Sequence, residues 1–119
     1  MKFLMFIKHA EGAPGLEHPK ALHEAMGKFV EDSFKSGVLK DTGGLKRTSE
    51  AWKIRSKGGK LTRTDGPFAE AKEVVGGYAL VETKTLAEAE ALAEQFMELH
   101  RVHVPDFECE CEVRPVEEF

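Results

Sequence analysis

From residue 107 to residue 114 the chain alternates with a strict period of two. Phe107, Cys109, Cys111 and Val113 fall on one side, and Glu108, Glu110, Glu112 and Arg114 on the other. Successive side chains of extended backbone point to opposite faces, so this pattern demands a strand with one face buried and the other wet. Three acids in register repel one another, so their face must be solvated or lie opposite bases. The row Lys53, Arg55 and Lys57 is the complement the sequence offers, within the chain or across a dimer. Exposed pairs of this kind are worth only about 0–1 kcal/mol each, so they bias register more than stability.

The remaining elements follow from the same periodicities. Residues 2–9 read as a strand with Phe3, Met5, Ile7 and His9 on one face and Leu4, Phe6 and Lys8 on the other. Both faces are apolar until the end, which predicts a central strand. Gly12, Pro14 and Gly15 mark a loop over residues 10–18. A helix runs from about residue 19 to 36, with Leu22, Ala25, Met26, Phe29 and Ser33 inward and Val30 and Phe34 widening the stripe. Gly37 stops it. Residues 38–46 form a weak extended segment. Residues 52–57 and 60–64 pair through a tight Gly58-Gly59 turn, and residues 77–83 form a further strand. Thr85-Leu86-Ala87-Glu88 is a capping box that opens a second helix. That helix carries Leu86, Ala89, Leu92, Ala93, Phe96 and Leu99 inward and ends near His100-Arg101.

The order is therefore βαββαβ with an added hairpin, an α+β plan with an antiparallel sheet and two helices on one face. Several strands are apolar on both faces, and the chain of 119 residues is too short to cover the second. This predicts a homodimer in which two sheets meet and wall off a shared hollow. The length suits one domain spanning residues 1–119. Seventeen bases against 21 acids give a net charge of −4, which argues against a general nucleic-acid binder. No apolar run approaches a membrane span, and the short apolar start lacks the cleavage site of a secretory signal, so a cytoplasmic protein with no membrane partner is expected. Cys109 and Cys111 are about 6.5 Å apart along a strand, near the upper limit for a bridge, and point the same way. They read as reduced core cysteines. Metal binding by them, or by His100 and His103, would need further ligands that the sequence does not supply.

One loop carries more specified chemistry than a chain reversal needs: Thr64-Asp65-Gly66-Pro67-Phe68-Ala69-Glu70-Ala71-Lys72-Glu73, followed by Val74-Val75-Gly76-Gly77-Tyr78. Pro67 takes the chain out of any ladder, and Gly66 tolerates shapes that bulkier residues would not. Asp65 can bond backbone N–H groups in a turn, or it can act as an acid, base or ligand contact at a pocket mouth. If residues 68–72 are extended, Phe68, Glu70 and Lys72 share a side as ligand contacts. A histidine side chain can change charge near neutral pH, and His9 sits at a strand end, so the candidate catalytic pair is His9 with Asp65. A carboxylate beside the imidazole would hold one tautomer and raise its basicity. His18 and His23 read as surface or helix-start residues.

This loop, with Ala25-Met26-Gly27-Lys28-Phe29, Gly37-Val38-Leu39, Gly77-Tyr78 and the ending Glu112-Val113-Arg114-Pro115-Val116, resembles the YCII-related family in its Asp-Gly-Pro-Phe branch. The resemblance implies a ferredoxin-like dimeric α/β barrel. Met26 stands at or near the position where some relatives carry a helix-1 histidine thought to work with an aspartate. His23, one turn earlier, does not simply inherit that role. Similar small barrels include isomerases and dehalogenating lyases of ring-cleavage pathways that need no metal or organic cofactor. The resemblance therefore implies a cofactor-free lyase or isomerase on a carbonyl or aromatic-derived metabolite. It equally admits a non-catalytic small-molecule-binding module, or an accessory partner of a transcription regulator, since some relatives are associated with alternative sigma factors.

Overall fold

The structure, a computed structural model, describes residues 1–12 and 18–118. Pro14 and Gly15 of the expected loop lie outside the described residues. The strands are β1 (Lys2–His9), β2 (Leu39–Gly44), β3 (Trp52–Lys57), β4 (Lys60–Asp65), β5 (Val74–Glu82) and β6 (Glu110–Pro115). The helices are α1 (Lys20–Lys35) and α2 (Leu86–His103). Four strands form one sheet in the order β2-β5-β1-β6, all antiparallel, while β3 and β4 form a separate two-stranded sheet. This is the ferredoxin-like arrangement with an added hairpin. β1 is interior, as its two apolar faces require.

Register fixes which residues face the helices. Phe3 pairs with Val81, Met5 with Ala79 and Ile7 with Gly77 across β5, and Met5 pairs with Val113 and Ile7 with Cys111 across β6. Phe3, Met5 and Val81 pack with Ala89 and Ala93 of α2 in one buried cluster, with Val30 of α1 against it. Both helices therefore cover the same face. A second cluster joins Leu22 to Val104 and Phe107. α2 begins at a Thr85 cap whose side chain accepts from the Glu88 N–H at 3.2 Å, while the Glu88 carboxylate accepts from the Lys84 N–H at 3.0 Å. Leu86, expected inward, lies in the first turn and is exposed. α1 fully buries only Leu22 and Ser33, and Phe34, expected on the inward stripe, is 46% exposed. Met26, Phe29, Val30 and Ser33 of the stripe face a cavity rather than a filled wall.

The open face carries Leu4, Phe6, Lys8, Tyr78, Leu80 and the acids of β6. Lys8 Nζ lies 3.1 Å from Glu110 and 3.0 Å from Glu112, and these two contacts raise the Lys8 pKa, Glu112 contributing more. The within-chain complement of the acidic row is thus Lys8, next to it in the ladder, rather than Lys53, Arg55 and Lys57. Those three bases lie on the hairpin, away from β6, and Lys53 pairs with Glu70 instead at 2.5 Å.

The hairpin turns on Gly58-Gly59, both at positive φ. Trp52, Ile54 and Leu61 on one of its faces are exposed, and Arg63 stacks over the Trp52 ring at 5.0 Å. The radius of gyration is 16.0 Å, against roughly 13–14 Å for a tightly packed domain of this length. The projecting hairpin accounts for the difference.

Candidate functional site

A cavity of about 340 Å³ lies between the helices and the sheet. Two rows of side chains run along it. β1 contributes Met5, Ile7 and His9, two residues apart on one face of a strand, and α2 contributes Leu92, Phe96 and His100, four apart on one face of a helix. Each row is apolar, then apolar, then histidine; His9 lies against Phe107, and His18 stands between Phe107 and His100. The His9 and Phe107 ring centroids are 5.4 Å apart, and the His18 ring lies 5.1 Å from Phe107 and 5.9 Å from His100. Met26 and Phe29, expected as core stripe, form the α1 wall of this space. The cavity lies on the helix side of a single protomer, not in a hollow between two sheets.

The two histidines are held alike. His9 Nδ1 is 2.9 Å from the Ala10 carbonyl oxygen and His100 Nδ1 is 3.1 Å from that of Phe96. A carbonyl oxygen only accepts, so each Nδ1 carries the proton and donates. In the neutral ring, Nε2 is then an acceptor. Neither Nε2 has a hydrogen-bond partner among the described residues, and no polar side-chain atom among them is sealed off without one, so both nitrogens stay accessible on residues that line the cavity. His9 is 9% exposed and His100 4%. A Cβ on Gly76 would lie 2.6 Å from His9 Nε2. Gly76 sits at a bulge, where β1 passes from the Ile7–Gly77 pair to the Lys8–Val75 pair, and its missing side chain makes room for the imidazole.

Next along the chain, Glu11 is clamped. Its carboxylate accepts from the Thr48 N–H at 2.6 Å and from the Thr48 hydroxyl. These bonds hold its pKa below the usual carboxylate range, with smaller contributions from Arg47 and His9. The Thr48 hydroxyl also accepts from the Phe68 N–H at 3.3 Å, and Gly66 donates its N–H to the Ala51 carbonyl at 2.8 Å. A Cβ on Gly66 would sit 1.6 Å from the Thr48 carbonyl oxygen. The 65–68 turn is therefore locked onto Thr48, and Thr48 onto the carboxylate two residues past His9.

Of the residues expected at the site, His9 lines the cavity, while Asp65, Phe68, Glu70 and Lys72 do not. Asp65 ends the hairpin with its carboxylate 2.7 Å from Arg63 and its side chain 70% exposed. The Phe68 ring lies under Lys53, 4.3 Å from the ammonium, and that same ammonium lowers the Glu70 pKa. Lys72 is exposed. Residues 68–72 are not extended: Ala71 donates to the Phe68 carbonyl at 3.1 Å in a turn, so Phe68, Glu70 and Lys72 share no strand face.

Two cavity-lining histidines and one carboxylate near His9 were not expected at the site. His100 continues the four-residue spacing of Leu92 and Phe96, and that spacing is visible in the sequence. His18, expected at the surface or at a helix start, stands just before α1 and is half-buried against Phe107. Glu11 carries no local signal, since its partner Thr48 is 37 residues away. Cys109 and Cys111 are free thiols whose pKa values burial pushes up, and Cys111 lines the cavity. Among the described residues no cluster of three His, Cys, Asp or Glu side chains can hold a metal. No helix among them is long and apolar enough to cross a membrane.

A ferredoxin-like sheet backed by two helices, with a cavity between the layers, defines the class of protein. Within that class a family model for the YCII-related domain matches residues 1–99, which takes in β1 through most of α2, and the chain belongs to that family. A search of curated proteins finds no match.

Proposed function

We propose that the protein binds a small carbonyl or aromatic-derived metabolite in the helix–sheet cavity and moves a proton on it through His9, as a lyase or isomerase that works without a cofactor. The observation that carries this reading is the fixed tautomer of His9, which aims an Nε2 lone pair into an apolar cavity of substrate size. In that position Nε2 takes a proton from the carbon beside a carbonyl. The electron pair then returns to a second carbon as the proton is handed back, or expels a leaving group from the neighbouring carbon. Glu11 is the carboxylate whose field reaches the imidazole. Asp65 with Phe68, Glu70 and Lys72 enters as the adjoining loop, joined to His9 through Thr48 and Glu11.

The test is exchange of the α-protons of 2-tetralone in heavy water, followed by proton NMR. The expected result is catalysed exchange that falls about 10²-fold or more in His9→Phe, while the ketone still binds. Binding without exchange in the native protein favours a second reading, a non-catalytic small-molecule-binding module. What recommends that reading is that no carboxylate among the described residues lines the cavity.

Two copies meet through the open sheet face in this account, burying Leu4, Phe6 and Leu80, which no helix covers. The exposed Trp52, Ile54 and Leu61 of the hairpin are the surface that an accessory role with a transcription (sigma) factor would use. Sedimentation separates the roles: Leu80→Glu yields monomers and Leu61→Ser leaves the dimer intact.

A further inference from the structure

We infer that, among uncharged flat ligands, the cavity holds most tightly one with a hydroxyl donor at its histidine end, a neutral hydroxy-aromatic compound, and rejects carboxylates and phosphates. This deepens the reading above and rests on the cavity being the binding site.

Shape comes first. The row from Met5 to His9 spans about 13 Å of strand, and the row from Leu92 to His100 about 12 Å of helix. The slot is therefore long, and its two sides match. Toward the histidine end its floor on β5 is Gly77 and Ala79, which put little more than backbone there, with Val81 beyond them. Phe29 and Phe96, with ring centroids 6.0 Å apart, stand on the helix side. A thin floor opposite aromatic rings favours a planar ligand that stacks. Met5 and Met26 add sulfurs suited to a ring edge.

Polarity comes second. Among the described residues the body of the cavity is lined mostly by apolar groups; of its hydroxyls besides Ser33, Thr42 donates to the Tyr78 carbonyl and Tyr78 donates to Asp41. Its histidine end offers, beside His18, two acceptors whose proton-bearing nitrogens are already committed to carbonyls. A ligand hydroxyl meets one of these lone pairs by donating to it. An ether oxygen in the same place would be desolvated without a partner.

Charge comes third. Among the described residues no Lys or Arg lines the cavity, and residues 13–17 contain neither. A buried anion would have no permanent cation to replace its hydration. The Glu11 carboxylate close to His9 repels it further.

Calorimetric titration of the intact protein with 2-naphthol, 2-methoxynaphthalene and 2-naphthoate tests the inference, with the Met5 and Met26 methyl NMR signals reporting where each probe sits. The expected result is that 2-naphthol shifts both methyls and binds at least tenfold more tightly than the other two. His9→Phe or His100→Phe, which keep a ring in place and remove one acceptor, then shrink that preference. Naphthoate binding as tightly as naphthol, or the ether binding as tightly, overturns the ligand class while leaving the cavity as the site. Binding of every probe without movement of either methyl, or binding of none, overturns the cavity reading together with the inference.

Discussion

The four-stranded sheet and the β3–β4 hairpin look alike in the sequence and differ completely in the folded chain. Phe3 and Met5 alternate with polar or open-face neighbours and are buried under α2. Trp52 and Ile54 alternate just as regularly and are 57% and 56% exposed. The difference lies in what covers each face. Two helices return over the sheet, and among the described residues no element returns over the hairpin, which keeps its shape through its own ladder and through the clamp at its foot. Period-two alternation tells which side chains share a face. It does not tell whether that face is covered, or by what.

The largest contrast is between a core position and a hairpin position. Phe3→Ala, at a fully buried residue, is expected to cost about 3–5 kcal/mol, read as a fall in denaturation midpoint. Gly66→Ala comes next and tests whether the hairpin is a free arm or a clamped one. With backbone oxygen 1.6 Å from the new Cβ, the turn must leave Thr48, at a cost of roughly 2–3 kcal/mol. A loss under half a kilocalorie would mean that the hairpin foot moves freely.

Thr48→Val sharpens the same point. It removes the hydroxyl that donates to Glu11 and accepts from Phe68, and should cost about 1–2 kcal/mol near neutral pH. Glu11 has a lowered pKa in the folded state, so its contribution is present in full above the ordinary carboxylate pKa and is lost as the pH falls through the lower folded value. The stability gap between the native protein and Thr48→Val should therefore narrow on acidification. A gap that stays constant with pH would detach Glu11 from the clamp. The smallest expected effect is Leu61→Ser, within about 0.5 kcal/mol of native protomer stability, because that side chain is 76% exposed.

Much of the fold was legible because burial imposes periods of two and 3.6 on the chain. The helix of residues 19–36, the hairpin at Gly58-Gly59 and the strand ending in His9 all follow from spacing. The candidate site was legible only in part. His9 stands out as a titratable group at the end of an apolar row. Glu11 does not, since its role depends on a contact with Thr48 made across the chain. Met26 and Phe29 were legible as inward-facing, but spacing cannot reveal that the volume they face is empty. The glycines of the 65–77 region are explained by close approach: Gly66 by the Thr48 carbonyl and Gly76 by the His9 ring. Neither neighbour is local in sequence.

The central claim is that the cavity under the helices, ending at His9 and His100, is where a small molecule binds and reacts. A crystal structure of the protein soaked with 2-tetralone tests it most directly. The account predicts density between the α1 wall at Met26 and the β5 floor at Ala79, with a carbon beside the carbonyl within about 3–3.5 Å of His9 Nε2. Density over Leu4, Phe6 and Leu80 on the open face, with the cavity unoccupied, would contradict it.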